Sequence, residues 1–97
     1  MAGNAAIIER NNDFIFRRIA DEGVLVPLYQ QENEENCIYT LNGIGAFIWE
    51  KLEKPSSVAE LRSAIFAEYE ADPDTIDADL DRFLVEMTTI GAVKEML

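Results

Sequence analysis

The pattern of apolar and polar positions changes period once along the chain, at Asn42. Before this residue, short apolar runs alternate with polar positions, which is the two-residue period of β-strands. After it, apolar residues recur every three or four positions, which is the period of amphipathic helices. The sequence therefore predicts a β half followed by an α half, an α+β fold.

Three strands are predicted in the first half. Residues 13–20 are rich in β-forming side chains and are followed by a turn signal at 21–23. Residues 24–29 form the return strand, where Pro27 lacks a ladder donor and indicates an edge position or a bulge. A polar, glutamate-rich connection leads to the third strand at 37–41, which has one face for a core and an edge that a partner could use.

The two ends of the chain carry weaker signals. Residues 1–12 show no sustained period, so we expect a flexible N-terminal tail, from which Ile7 and Ile8 could dock on the core. Residues 92–96 could form one more short extended piece. The folded domain is expected to span residues 13–97.

Three helices are predicted in the second half, each starting at a capping signal. Asn42 caps the first helix through its side-chain oxygen. Ser57, with Glu60 three residues later, forms a capping box for the second. Asp72 caps the third, which has proline in its first turn, and Gly91 ends it in a left-handed conformation. The apolar faces of the three helices are expected to be Ile44, Phe47, Ile48 and Leu52; Val58, Leu61, Ile65 and Phe66; and Ile76, Leu80, Phe83, Leu84, Met87 and Ile90.

Length and composition narrow the class of protein. The chain has 97 residues, no histidine and one cysteine, Cys37. This length builds one small domain with a single core. There is no basic segment followed by an apolar leader and no apolar run of about 18 residues, so neither secretion nor a membrane span is indicated and a cytoplasmic protein is expected. A single cysteine forms no internal disulfide, and Cys37 is interpreted as a small apolar residue of a strand.

The residue types present give catalysis little support. Without histidine, the chain lacks the usual near-neutral acid or base and has nothing to activate a serine or cysteine. Asp77 and Asp81 stand one helical turn apart, but metal sites need more converging ligands, and solvent-facing charge is the favoured interpretation. Gly43 and Gly45 lack the spacing and the lysine of a phosphate-binding loop. We therefore expect no enzyme, no catalytic residue, no metal and no cofactor.

Acidic residues outnumber basic ones by 19 to 8, which gives a net charge of −11. This charge repels phosphate backbones and argues against nucleic-acid binding. Acidic residues dominate between Glu68 and Asp81. This stretch is interpreted as a solvated helix surface, with a landing surface for a basic partner as the alternative.

Several short pieces, taken in order, resemble the PqqD-like family. The pieces that carry the resemblance are Leu41-Asn42 at the end of a strand, Phe47-Ile48-Trp49, the segment from Ser57 to Leu61, Tyr69, Asp79, Phe83-Leu84 and Gly91. The resemblance covers about residues 14–93. Members of this family are small peptide chaperones of pyrroloquinoline quinone (PQQ) biosynthesis, and their fold recurs as the recognition element of ribosomal-peptide (RiPP) modification systems.

The resemblance implies a winged-helix-like domain, with a three-stranded antiparallel sheet followed by three helices. It implies a non-catalytic chaperone that captures the leader of a precursor peptide and presents it to a modifying enzyme such as a radical SAM maturase. The leader would add as a strand beside the third strand, in a groove closed by the last helix, a mode in which main-chain hydrogen bonds supply affinity. On this sequence, the implied peptide-binding residues are Cys37, Ile38, Tyr39, Thr40, Asp79, Arg82, Phe83 and Glu86.

Two alternatives from other classes stay open. The first is a winged-helix DNA-binding regulator, although the second helix offers only Arg62 and the third only Arg82 toward phosphates. The second is a homo-oligomeric interaction module, in the simplest case a homodimer, whose strand edge pairs with itself.

Overall fold

The structure is a computed structural model, and it describes residues 5–28 and 38–96. Its elements in chain order are β1 (Ile7–Arg10), β2 (Phe14–Ile19), β3 (Glu22–Pro27), β4 (Tyr39–Leu41), α1 (Gly43–Lys51), β5 (Ser56–Ser57), α2 (Val58–Glu68), α3 (Pro73–Thr89) and β6 (Val93–Met96). The predicted sheet of three antiparallel strands followed by three helices is confirmed, and with it the α+β class. The predicted third strand reached Cys37, which lies outside the described residues.

Strands β2, β3 and β4 form the main sheet, with β3 in the centre and β4 at an edge. The expectation that Pro27 marks an edge strand is wrong, because β3 pairs on both sides. Pro27 is the last residue of β3 and pairs with Phe14, whereas the described pairing with β4 ends at Leu25. A strand end tolerates the missing donor of proline.

The N-terminal segment contains a strand, where the sequence predicts a flexible tail through residue 12. Strand β1 lies between β5 and β6 in a second antiparallel sheet, and Ile8 is buried in the core. The guanidinium of Arg10 donates a hydrogen bond of 3.2 Å to the Trp49 carbonyl and lies 5.4 Å from the centroid of that ring system. The sequence does not indicate β1 for two reasons. A strand of four residues shows little periodicity, and its partner β6 lies at the other end of the chain. The short extended piece predicted at 92–96 is this partner, β6.

The local caps determine where the helices begin and end. The Asn42 side chain accepts a hydrogen bond of 2.8 Å from the Gly45 amide. Ser57 and Glu60 form the predicted capping box, with bonds of 2.9 and 3.0 Å. Asp72 occupies the N-cap of α3 but its side chain makes no capping hydrogen bond, so that part of the prediction is wrong. Pro73, the first residue of α3, has the fixed φ that suits a helix start and no N–H that needs a partner.

Gly91 ends α3 with a φ of +80°, as predicted. The Gly91 amide donates to the Thr88 carbonyl at 3.1 Å, and the Ala92 amide donates to the Met87 carbonyl at 2.8 Å. This pair of bonds is the Schellman motif, in which a left-handed residue turns the chain after a helix. The turn directs the chain into β6.

The buried apolar residues of ranges 5–28 and 38–96 form one core between the two sheets and the three helices described above. Trp49 of α1 is buried in this core, and Phe16 of β2 stacks on it with the ring centroids 6.2 Å apart. Most predicted apolar positions are buried, but Ile44, Phe47 and Ile90 are only partly buried, and Phe66 is exposed. The buried apolar residues are Ile8, Leu25, Leu41, Ala46, Ile48, Trp49, Leu52, Val58, Leu61, Ile65, Ile76, Leu80, Phe83, Leu84, Met87, Ala92 and Val93.

Candidate functional site

A groove of about 250 Å³ lies between the end of the edge strand β4 and helix α3. Strand β4 pairs with β3 on one side, and within the described part of the chain no strand pairs with its other side. The groove is lined by Thr40, Leu41, Asn42, Gly45, Asp79, Arg82, Phe83 and Glu86. It therefore joins a strand edge to one flank of a long helix.

Five of the residues implied by the family resemblance line this groove. They are Thr40, Asp79, Arg82, Phe83 and Glu86. Tyr39 lies in β4, partly buried and paired with Leu25, and it is not part of the lining. Ile38 precedes β4 and is 63% exposed, also outside the lining.

The floor of the groove is apolar and belongs to the core. Phe83 and Leu41 are each 5% exposed, so only a small part of either side chain reaches the groove. Phe83 thus has two roles: most of its ring packs in the core, and the remainder contributes to the floor. An apolar floor of this kind can receive a side chain of a bound chain.

Leu41, Asn42 and Gly45 also line the groove, and the sequence-based interpretation missed them. They lie where β4 ends and α1 begins, next to the cap of α1. A Cβ on Gly45 would lie 3.3 Å from both the Asn42 side-chain oxygen and the Leu41 Cβ, so glycine permits this close approach. Gly45 itself is the available signal in the sequence, because a glycine in the first turn of a helix lowers helix propensity and so indicates close backbone packing.

Tyr69 fixes the start of α1 beside the groove. Its hydroxyl donates a hydrogen bond of 3.3 Å to the Gly43 carbonyl. Its ring packs edge-on against Phe47, with centroids 5.4 Å apart. The residue after α2 therefore holds the first turn of α1, which forms one end of the groove.

Three charged side chains lie along the α3 wall of the groove: Asp79 is partly buried, whereas Arg82 and Glu86 are exposed. None of the three takes part in an ion pair with another described residue. The ion pairs within the described ranges are Arg18–Glu50, Arg62–Asp77 and Lys94–Glu9. The α3 wall thus carries two carboxylates and one guanidinium that form no ion pair with any described residue.

Asp77 and Asp81, the two aspartates considered as metal ligands, lie in different surroundings. Asp77 binds Arg62: its Oδ2 accepts a hydrogen bond of 3.0 Å from Nη2, and its Oδ1 lies 2.7 Å from Nε without hydrogen-bond alignment. Asp81 lines a different groove. No cluster of three or more histidine, cysteine, aspartate or glutamate residues that could hold a metal occurs in residues 5–28 and 38–96.

A second groove, of about 350 Å³, lies on the opposite flank of α3. It is lined by Ile8, Asp81, Leu84, Val85, Thr88, Thr89 and Glu95. It shares no residue with the groove beside β4. Helix α3 therefore separates two grooves, and residues of the second groove can serve as control positions for substitutions in the first.

None of the described helices is long and apolar enough to cross a membrane.

Comparisons with known proteins found a matching family model and a matching solved structure. A family model described as coenzyme PQQ synthesis protein D (PqqD) matches residues 24–93. A solved structure described as TbiB1 in complex with the TbiA(beta) leader peptide matches with a TM-score of 0.72 and 27% sequence identity. The match covers 92% of this chain and 98% of that one. No curated protein matches the chain.

Proposed function

Because this chain belongs to the PqqD family, we propose that it recognises the leader segment of a ribosomally made precursor peptide. The observation that carries the proposal is the groove between the edge strand β4 and α3, in a chain that is similar over 92% of its length to a protein solved with a leader peptide. A groove beside an unpaired strand edge is the arrangement in which an extended peptide binds by strand addition.

The leader would bind as an additional strand beside β4. An edge strand carries main-chain donors and acceptors that an extended peptide can satisfy, and alternate side chains of the peptide then enter pockets on one face. The position of β4 at the sheet edge supports this mode, as does the groove along its end. Residues Cys37 to Thr40 would supply the strand edge, with Asp79, Arg82, Phe83 and Glu86 of α3 opposite.

The protein would then act as a chaperone, without a catalytic step of its own. The captured leader would be presented to a separate modifying enzyme, and the family resemblance points to an enzyme of the radical SAM type. The quinone-cofactor pathway and other peptide-modification pathways are both compatible with this role. The leader of any short precursor encoded near the gene for this chain would be the probe that distinguishes them.

A binding experiment with one matched pair of variants tests the proposal. Thr40 lines the groove beside β4 and Thr88 lines the second groove, and both side chains are exposed. Thr40→Trp fills the first groove with a large ring, and Thr88→Trp places the same ring on the opposite flank of α3. The probe is a labelled synthetic peptide spanning the leader of a short precursor encoded near the gene for this chain, and its binding is followed by fluorescence anisotropy.

We expect Thr40→Trp to weaken binding by roughly tenfold or more, the equivalent of about 1.4 kcal/mol, and Thr88→Trp to leave it unchanged. Equal affinities for the two variants and the unmodified protein would contradict the site. Peptides N-methylated at successive positions test the binding mode separately. Strand addition predicts losses at every second position, because only alternate amides of an added strand face β4.

A further inference from the structure

The order of charges along the α3 wall suggests which leader segments fit the groove, an inference that rests on the proposed function. At roughly 100° per residue around a helix, Asp79 and Glu86 lie about 40° and 60° from Phe83, and Arg82 lies about 100° from it. The burial agrees with this order: Phe83 is buried, Asp79 is partly buried, and Glu86 and Arg82 are exposed. The two carboxylates therefore lie between the apolar floor and the guanidinium at the lip.

The wall keeps a net negative charge whichever pair forms on the helix surface. Arg82 has Asp79 three residues before it and Glu86 four residues after it, so it can neutralise one carboxylate at a time. In the structure Arg82 pairs with neither, so both carboxylates are without an ion-pair partner among the described residues. The net charge of the chain, −11, adds to the attraction of a cationic segment.

The spacing of the carboxylates matches an extended chain. With a rise of about 1.5 Å per helical residue, Asp79 lies about 6 Å before Phe83 along the helix axis, and Glu86 lies about 4.5 Å after it. Same-face residues of an added strand are about 6.6–6.8 Å apart. A leader that runs along the α3 axis, with one side chain on the Phe83 floor, would place its neighbours two positions away on either side close to one carboxylate each. The spacing along the helix is shorter than the spacing along the strand, and long, flexible lysine or arginine side chains can span this difference.

We propose that the groove selects leader segments in which an aliphatic residue is flanked, two positions before and two positions after, by lysine or arginine. The aliphatic side chain would rest on Leu41 and Phe83, and the two cations would pair with Asp79 and Glu86. These two carboxylates are then specificity-determining residues of the peptide site.

The test uses a displayed library of random peptides, so it needs no knowledge of the natural leader. The site variant is Asp79→Lys with Glu86→Lys, and the control variant is Asp81→Lys with Glu95→Lys in the second groove. Both variants raise the net charge by four units from −11, so the long-range field changes equally. Thermal unfolding of each variant verifies that it is folded before selection.

We expect the unmodified protein and the control variant to enrich the basic-flanked aliphatic pattern, and the site variant to enrich aspartate or glutamate at the flanking positions. A peptide selected on the unmodified protein should bind the site variant roughly tenfold more weakly or worse, and the control variant within about threefold.

The outcomes separate the two proposals. Enrichment of aliphatic peptides with no preference for flanking charge, or the same peptides from the site variant, would overturn this inference and leave leader binding intact. If no peptide is enriched on the unmodified protein and the natural leader also fails to bind, both proposals fail.

Discussion

Gly23 shows how one residue without a side chain lets a ring pack across the sheet. It is buried in β3, and a Cβ there would lie 2.3 Å from Cε1 of Phe16 and 3.2 Å from Cβ of Ala46. Phe16 stacks on Trp49, so a displaced ring would disturb the core. The glycine is therefore needed for packing.

We expect Gly23→Ala to lower the free energy of unfolding by about 1–3 kcal/mol, the usual cost of overpacking. Urea unfolding followed by tryptophan fluorescence measures it, since Trp49 is the only tryptophan. In a Phe16→Leu background, the same substitution should cost less than half as much because the ring is gone. An equal cost in both backgrounds would show that the ring is not the cause.

Among the secondary-structure elements, the capping box at the start of α2 makes the stability of the fold depend on pH. The backbone and side-chain hydrogen bonds with Ser57 lower the pKa of the Glu60 carboxyl. A pKa that is lower in the folded state means that the carboxylate stabilises the fold. This contribution is complete above the ordinary pKa of glutamate, and it is lost as the pH falls through the lowered value.

Carbon-detected NMR of the Glu60 carboxyl gives its pKa directly. We expect a midpoint below that of an unstructured glutamate. Ser57→Ala should move it part of the way back toward the ordinary value, because the variant loses the side-chain hydroxyl but keeps the backbone N–H that donates to the carboxylate. Ser63→Ala, on the exposed surface of the same helix, is the matched control and should leave the midpoint unchanged. No difference between the two variants would contradict the capping account.

The elements also show which features were predictable from the sequence. The Asn42 cap, the Ser57–Glu60 box and the Gly91 turn each depend on residues within a few positions, so the local pattern was sufficient. Strand β1 was missed because its partner β6 lies at the other end of the chain. In the site, the family resemblance pointed to residues of α3, but the role of Leu41 and Asn42 depends on how β4 and α1 meet α3 in space.

At the scale of the whole molecule, β1 joins the two ends of the chain into one fold. The Asn11 side chain donates a hydrogen bond of 3.0 Å to the Gly91 carbonyl, and the Val58 amide donates one of 3.0 Å to Ala6. Ile8 is 3% exposed and packs in the shared core. The N-terminal strand should therefore contribute to global stability.

We expect Ile8→Ala to lower the free energy of unfolding by about 2–5 kcal/mol, because it removes a buried side chain and leaves a cavity. Ile15→Ala is the matched control: Ile15 is 42% exposed on β2, and its truncation should cost less than about 1 kcal/mol. Urea unfolding of both variants measures the difference. Equal costs would mean that the N-terminal segment behaves as the tail that the sequence predicts.

A leader peptide bound between β4 and α3 would shift the backbone amides of the residues that it contacts. A backbone amide NMR titration with the leader of a short precursor encoded near the gene therefore locates the binding surface. We predict that saturable shifts cluster at Thr40, Leu41 and the α3 flank that carries Asp79, Arg82 and Glu86. Shifts confined to the opposite flank, at Asp81, Val85 and Thr88, or no shifts at saturating peptide, would contradict the account.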